Sequence, residues 1–180
     1  MTKKSAFTAE TDWDKSEDYG DFLDNLVANK KITLRNMIVQ AYGSLAAESA
    51  AASQAMSSAF AKLTCFDTDG AAYNAVPAHG DDIITIDKAG VYEVYASMTV
   101  EIDAAKELYL QLGVNGVADS AYAAEQNIPS TGVPRIITLP VRTRSFSAAD
   151  QVSLMGALNS GVANLTVTRA ALYLKRIEGA

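Results

Sequence analysis

Ala163-Asn164-Leu165-Thr166-Val167-Thr168-Arg169-Ala170-Ala171-Leu172-Tyr173-Leu174-Lys175-Arg176-Ile177 is a long β-forming run close to the end of the chain. Its Thr, Val, Leu, Tyr and Ile residues suit a pleated, half-buried surface, and its apolar positions alternate. The alternation changes phase within the run. Leu165 and Val167 share one face, whereas Leu172 and Leu174 share the other. A bulge between Arg169 and Ala171 would put all four on one side. Alternatively both faces are covered, one by the chain's own core and one by another subunit. We favour the second alternative.

Working outward, the same period of two recurs upstream. Tyr92, Val94, Ala96, Met98, Val100 and Ile102 fall on one face of a strand, opposite Glu93, Tyr95, Ser97, Thr99 and Glu101. Leu108, Leu110, Leu112 and Val114 repeat the pattern and run into Asn115-Gly116, a strong hairpin signal. Ile84 and Ile86, the segment around Ala118, Ile137 with Leu139 and Val141, and Val152 with Leu154 and Leu158 bring the total to about seven or eight strands with regular turns, which predicts a sandwich or jelly roll.

The front of the chain reads differently. Leu34, Ile38, Ala41, Leu45, Ala52, Met56, Ala59 and Leu63 recur in steps of about three, four or seven residues, after a candidate N-cap at Thr33. This predicts one long Ala-rich helix over 33–63, with Gly43 a mild cost inside it. The expected fold is therefore α+β by content, with a helical stalk or anchor over 1–63 and an all-β jelly-roll head over 64–180. The helix seam is narrow and lined with small side chains. It suits either close approach to copies of itself or a solvated helix held by its ends, and self-association is the expectation carried forward. Upstream of it, Trp13, Tyr19, Phe22, Leu23 and Leu26 are apolar anchors in a polar, acidic stretch. They either fold onto their own domain or dock onto a partner.

Bulk properties bound the function. The chain has 180 residues, 49% of them hydrophobic and 20% charged, with a formal net charge of -6. That charge is the wrong sign for nucleic-acid binding or a polybasic membrane anchor. Cys65 is the single cysteine, so no intrachain disulfide can form. Met1-Thr2-Lys3-Lys4 is not followed by an apolar leader, which leads to the expectation of assembly in a cytoplasm.

Three stretches carry a family resemblance. Ile86-Asp87-Lys88-Ala89-Gly90-Val91-Tyr92-Glu93-Val94, Leu110-Gln111-Leu112-Gly113-Val114-Asn115-Gly116, and the closing strands Gln151–Leu154 and Leu165–Leu174 resemble the C1q/TNF-like trimeric jelly roll, in the form found on phage and bacterial structural proteins. The family's final strand is typically richer in aromatics than this one, which has only Tyr173. The resemblance implies a homotrimer that works in binding or assembly and has no catalytic role. With a stalk ahead of the head, it looks like a bacteriophage virion component. A capsid decoration or head fibre, bound to a major capsid protein through the anchors, is the leading expectation. A tail-located receptor-binding protein, contacting a host-surface glycan, is the alternative. Leu45, Ala52, Met56, Leu172 and Leu174 are the candidate trimer-interface residues, and Trp13, Tyr19, Phe22 and Leu26 the candidate particle-docking residues.

Catalytic chemistry has little to build on. His79 is the sole histidine, and no nucleophile-elbow, zincin or phosphate-loop pattern occurs. Cys65 has no second thiol and is expected to be a small buried hydrophobe. A glycan-cleaving enzyme would need a paired-carboxylate cleft, and Glu93 with Glu101 on one strand face is too little to make one. Asp67-Thr68-Asp69-Gly70 resembles only the opening of a calcium loop, so Asp67 and Asp69 are cation candidates set against ordinary turn chemistry. No cofactor is expected. Arg142 and Arg144 share a strand face, and are either ion-paired or in contact with an acidic neighbour or carbohydrate.

Overall fold

The computed structural model describes residues 40–49, 53–129 and 132–179. Among the described residues, twelve strands run in chain order as β1 (Tyr42–Ala47), β2 (Gln54–Met56), β3 (Ala61–Lys62), β4 (Thr68–Asp69), β5 (Ala75–Ala78), β6 (Ile83–Ile86), β7 (Gly90–Ile102), β8 (Lys106–Val114), β9 (Val117–Ile128), β10 (Arg135–Phe146), β11 (Gln151–Leu158) and β12 (Ala163–Gly179). They form two six-stranded antiparallel sheets. The first has the order β10-β7-β12-β1-β4, with β2 added to β12. The second has the order β5-β6-β11-β8-β9, with β3 added to β11. The described chain is an all-β jelly-roll sandwich.

This corrects the expected α+β fold. Residues 42–62 supply three strands where a long helix was predicted, so the β-domain takes in residues upstream of 64. In β1, Gly43, Leu45 and Ala47 face inward, while Tyr42, Ser44 and Ala46 alternate with them on the other side. Ala is a good helix former, but its propensity is a weak prior that tertiary pairing overrides. Here β1 pairs with β12 from Tyr42↔Lys175 to Ala47↔Ala170. Gly43 is small because the second sheet comes close: a Cβ there would lie 3.0 Å from Ile84 Cγ2 and 3.2 Å from Ala75 Cβ.

The closing strand resolves its own phase change by the first of the two alternatives, not the one favoured above. The pairing of β12 with β7 shifts register between Val167 and Arg169, opposite Val100 and Thr99. Thr168 is the extra residue, and its Oγ1 donates to Thr99 O at 3.2 Å. One added residue reverses the alternation. Leu165, Val167, Leu172 and Leu174 consequently all point into the same core.

That core lies between the sheets and is made of alternate residues from both, including Val94, Ala96, Met98, Leu108, Leu110, Leu112, Val152 and Leu154. Tyr92 is fully buried; its hydroxyl donates to Lys88 O at 2.6 Å and its ring meets Phe146 edge-on at 5.7 Å. Buried Asp82 accepts from the backbone N–H of Cys65 at 2.8 Å and of Phe66 at 2.9 Å, so this carboxylate organises the chain between β3 and β4. Gln40 and Gly179 lie at the same end of the sandwich, near the Asn115-Gly116 turn and the β10–β11 turn. The loops 103–105 and 159–162 form the opposite end, as the pairings Leu165↔Ile102, Gly179↔Gly90 and Tyr42↔Lys175 require.

Candidate interaction face

The outer side of the first sheet is where chemistry collects. Strand alternation puts Glu93, Tyr95, Ser97, Thr99 and Glu101 on it from β7, because Val94, Ala96, Met98 and Val100 point inward. From β12 it receives Thr166, Arg169, Ala171, Tyr173 and Lys175, and from β1 Tyr42, Ser44 and Ala46. Successive rows cross the sheet. One runs Thr138–Ser97–Ala171–Ala46–Thr68, with Ser97 Oγ and Thr138 Oγ1 3.1 Å apart. The next has Tyr95 directly opposite Tyr173, followed by Ser44. The last runs Thr143–Glu93–Lys175–Tyr42, and Tyr42 bridges to Tyr73 with ring centroids 6.4 Å apart.

The middle of this face holds tyrosines and small hydroxyl or alanine residues, whereas its charges sit toward the ends. Tyr95 and Tyr173 keep 38% and 37% of their surface open, and Tyr73 keeps 56%. Ile136 and Val141, on the neighbouring edge strand β10, are more than half exposed. A centre depleted in charge and enriched in tyrosine is the composition of protein–protein contact surfaces.

The sheet edges, by contrast, are closed to strand addition. Strand β10 carries Pro140 and a register shift between Leu139 and Arg142. It is also stitched to β9: Arg142 Nη1 donates to Ala121 O at 2.7 Å, Tyr122 Oη donates to Thr143 O, and Arg144 pairs with Asp119 while lying 5.7 Å over Tyr122 and 5.5 Å over Phe146. At the far edges, β4 is two residues long and β5 contains Pro77. These are the ordinary devices that keep sheets from adding strands.

The residues picked out from sequence are distributed as follows. Leu45, Met56, Leu172 and Leu174 are at most 1% exposed within a single chain and belong to its core. Burial on their own sandwich leaves them no surface for a partner. The residues that do face outward are their neighbours Ser44, Ala46, Ala171 and Tyr173. For Ala171 and Tyr173 the signal lies in the strand alternation and is masked by the phase change at Thr168; for Ser44 and Ala46 it is hidden by the helical pattern of 33–63. Ala52, Trp13, Tyr19, Phe22 and Leu26 lie outside the described residues. Arg142 and Arg144 do share a face, and it turns toward β9.

Asp67 and Asp69 do not converge. Asp67 accepts from Ser49 Oγ at 2.6 Å, Ser49 N at 3.0 Å, Glu48 N at 3.1 Å and Thr68 Oγ1 at 2.8 Å, and these bonds, the Ser49 hydroxyl first, hold its carboxyl well below the usual range. Asp69 instead accepts from His79 N at 2.7 Å and lies 3.1 Å from His79 Nδ1. Among the described residues, no three His, Cys, Asp or Glu side chains gather as a metal site. Burial, followed by the charges of Asp82 and Asp67, pushes the Cys65 thiol up to about 12, which makes it inert as a nucleophile at neutral pH. A cleft of ~160 Å³ at one end of the face is lined by Ser53, Glu101, Ile102, Asp103, Asn164 and Thr166. It is smaller than the roughly 300–1,000 Å³ of ligand pockets, and Asp103 within it is engaged by Asn164 N at 2.9 Å and Nδ2 at 2.6 Å.

No protein-family profile matches the chain, and no curated protein sequence does. Solved structures do. Eiger TNF from S. frugiperda superposes with a TM-score of 0.58 at 9% identity, covering 79% of this chain and 94% of that one. The globular domain of zebrafish complement 1qA gives 0.53 at 13% identity, covering 79% and 100%. Murine APRIL gives 0.54 at 10% identity, covering 77% and 100%. The chain has the C1q/TNF-like jelly-roll fold.

Proposed function

We propose that this chain is a non-catalytic binding and assembly head that works as a homotrimer, with copies packed through the outer face of the β10-β7-β12-β1-β4 sheet. The observation that carries the reading is the cross-strand pair Tyr95–Tyr173, set among Ser44, Ala46, Ser97, Ala171 and Thr138 at the uncharged centre of that face. Tyrosine contributes large contact area at low entropic cost, and the small residues let a second sheet surface come close. The test is mass in solution, by light scattering across a dilution series. The expected value is about three times 19.1 kDa. Tyr173→Lys puts a charge at the centre of the face and is expected to yield folded monomer. A wild-type monomer at all concentrations would refute the reading.

The finer part of the proposal places this trimer on a virus particle, as a capsid decoration or head fibre docked to a major capsid protein through Trp13, Tyr19, Phe22 and Leu26. It is supported by the apolar anchors ahead of a binding head, and by the resemblance of the Ile86–Val94 and Leu110–Gly116 stretches to the C1q/TNF-like jelly roll in the form found on phage and bacterial structural proteins. Immunolabelling of purified particles tests it. Label on the capsid is the expected result, label on the tail favours the receptor-binding alternative, and unlabelled particles end the particle reading.

A further inference from the structure

Asn115 and Gly116 turn β8 into β9 with φ of +52° and +78°, the left-handed pair that a tight hairpin needs. The asparagine does more than turn the chain. Its backbone N–H donates to Gln151 O at 2.8 Å, its Nδ2 donates to Asp150 Oδ1 at 2.9 Å, and its Oδ1 accepts from Gln151 N at 2.9 Å. Asp150 in turn accepts from Ser147 N through its other oxygen at 2.8 Å, and its carbonyl accepts from Ile86 N at 2.9 Å. One carboxamide therefore joins the β8–β9 hairpin to the β10–β11 turn, and through that turn to β6.

Asn-Gly is also the pair most open to cyclisation, because glycine has no side chain to shield its backbone nitrogen. Around Gly116 the space is empty: a Cβ would meet nothing within 4 Å. In the reaction, Gly116 N loses its proton and bonds to Asn115 Cγ. The Cγ–Nδ2 bond breaks, and ammonia departs carrying a proton. Water then opens the resulting succinimide at either carbonyl, leaving aspartate or isoaspartate at position 115. For Cγ to reach Gly116 N, the carboxamide has to leave both Asp150 and Gln151.

We infer that Asn115 is a spontaneous deamidation site restrained by its bonds to Asp150 and Gln151, and that its conversion severs the joint between the hairpin and the β10–β11 turn. The product replaces the Nδ2 donor with a carboxylate oxygen facing Asp150 Oδ1, so an attractive contact becomes a repulsion between like charges. Isoaspartate also lengthens the backbone inside a two-residue turn. The inference is independent of the trimer.

The experiment incubates the full chain at mildly alkaline pH and follows conversion of the 115–116 peptide by peptide-mapping mass spectrometry. Wild type is expected to convert at Asn115 and more slowly than a free Asn-Gly peptide. Asp150→Ala is expected to convert about fivefold faster than wild type, the population shift given by one lost hydrogen bond. Because Asp150→Ala also loosens its own turn, Asn115→Asp is examined separately by hydrogen exchange. Its Val117 and Gln151 amides, which belong to the hairpin pairing and to the Asn115 joint, are expected to lose protection while those of β7 and β12 keep theirs. Conversion of wild type at the free-peptide rate, equal rates in wild type and Asp150→Ala, or an Asn115→Asp hairpin as protected as wild type would each overturn the inference.

Discussion

Deleting Thr168 tests the account of the closing strand directly. Val167 pairs with Val100 and Arg169 with Thr99, so Thr168 is the residue of this stretch with no place in the ladder. Without it Arg169 follows Val167 directly, the alternation runs unbroken, and Leu165, Val167, Leu172 and Leu174 all stay inside with their partners on β7 unchanged. The expected cost is the bond from Thr168 to Thr99 O, about 1 kcal/mol, and Thr168→Ala, which loses the same bond, should cost about as much. A strand without the bulge gives the opposite result. There the deletion turns one apolar pair out of the core, such as Leu165 and Val167, which are 1% and 3% exposed. Each is worth roughly 1.5–3 kcal/mol when buried, so that exchange would cost about 3–6 kcal/mol. Against a typical domain stability of about 5–15 kcal/mol, this is enough to unfold much of the population. Urea denaturation followed by circular dichroism separates the two cases. A deletion variant several kcal/mol less stable than Thr168→Ala would show that the bulge does not set the register, and the reasoning would fail.

Three further outcomes are expected. Gly43→Ala should lower the thermal midpoint, since its Cβ meets Ile84 and Ala75 across the sandwich; in a helix the same change would stabilise by about 1 kcal/mol, so the sign of the shift distinguishes the two structures. The native hydrogen bonds to Asp67 depress its pKa, so the stability it adds is complete above the ordinary carboxylate value of about pH 4 and is lost as pH falls below it; Asp67→Ala should flatten the acid limb of a melting-temperature profile. Cys65 should resist thiol reagents in the native protein and react once denaturant unfolds it, read as the absorbance of the released chromophore.

Most of the sandwich was legible because its long strands carry their own period. Tyr92 to Ile102 alternate without a break, and Asn115-Gly116 marks the hairpin in two residues. Residues 42–62 were not legible, for a physical reason. Strands of two or three residues have no period to read, and the partner that makes β1 a strand lies in β12, at the other end of the sequence. Alanine and serine in between carry local helical preference with nothing nearby to oppose it. The candidate face is legible only in part. Alternation marks β12 as a long strand, but without the register shift at Thr168 it does not show that Leu172 and Leu174 point inward and Ala171 and Tyr173 outward. The stitching of Arg142 and Arg144 to β9 was beyond reach too, because it depends on two edge strands from different sheets meeting at the side of the sandwich.

The placement of Gln40 and Gly179 at one end has a mechanical consequence. Strands β1 and β12 are antiparallel, with Tyr42 facing Lys175 at that end. A force pulling residue 40 away from residue 179 loads the ladder one rung at a time, and the strands peel like a zipper. A force between residue 40 and the far loops 159–162 loads the same rungs together, in shear, and has to break them at once. The head is therefore built to bear tension when it is held from below and gripped at its crown, and it yields easily when its two ends are drawn apart.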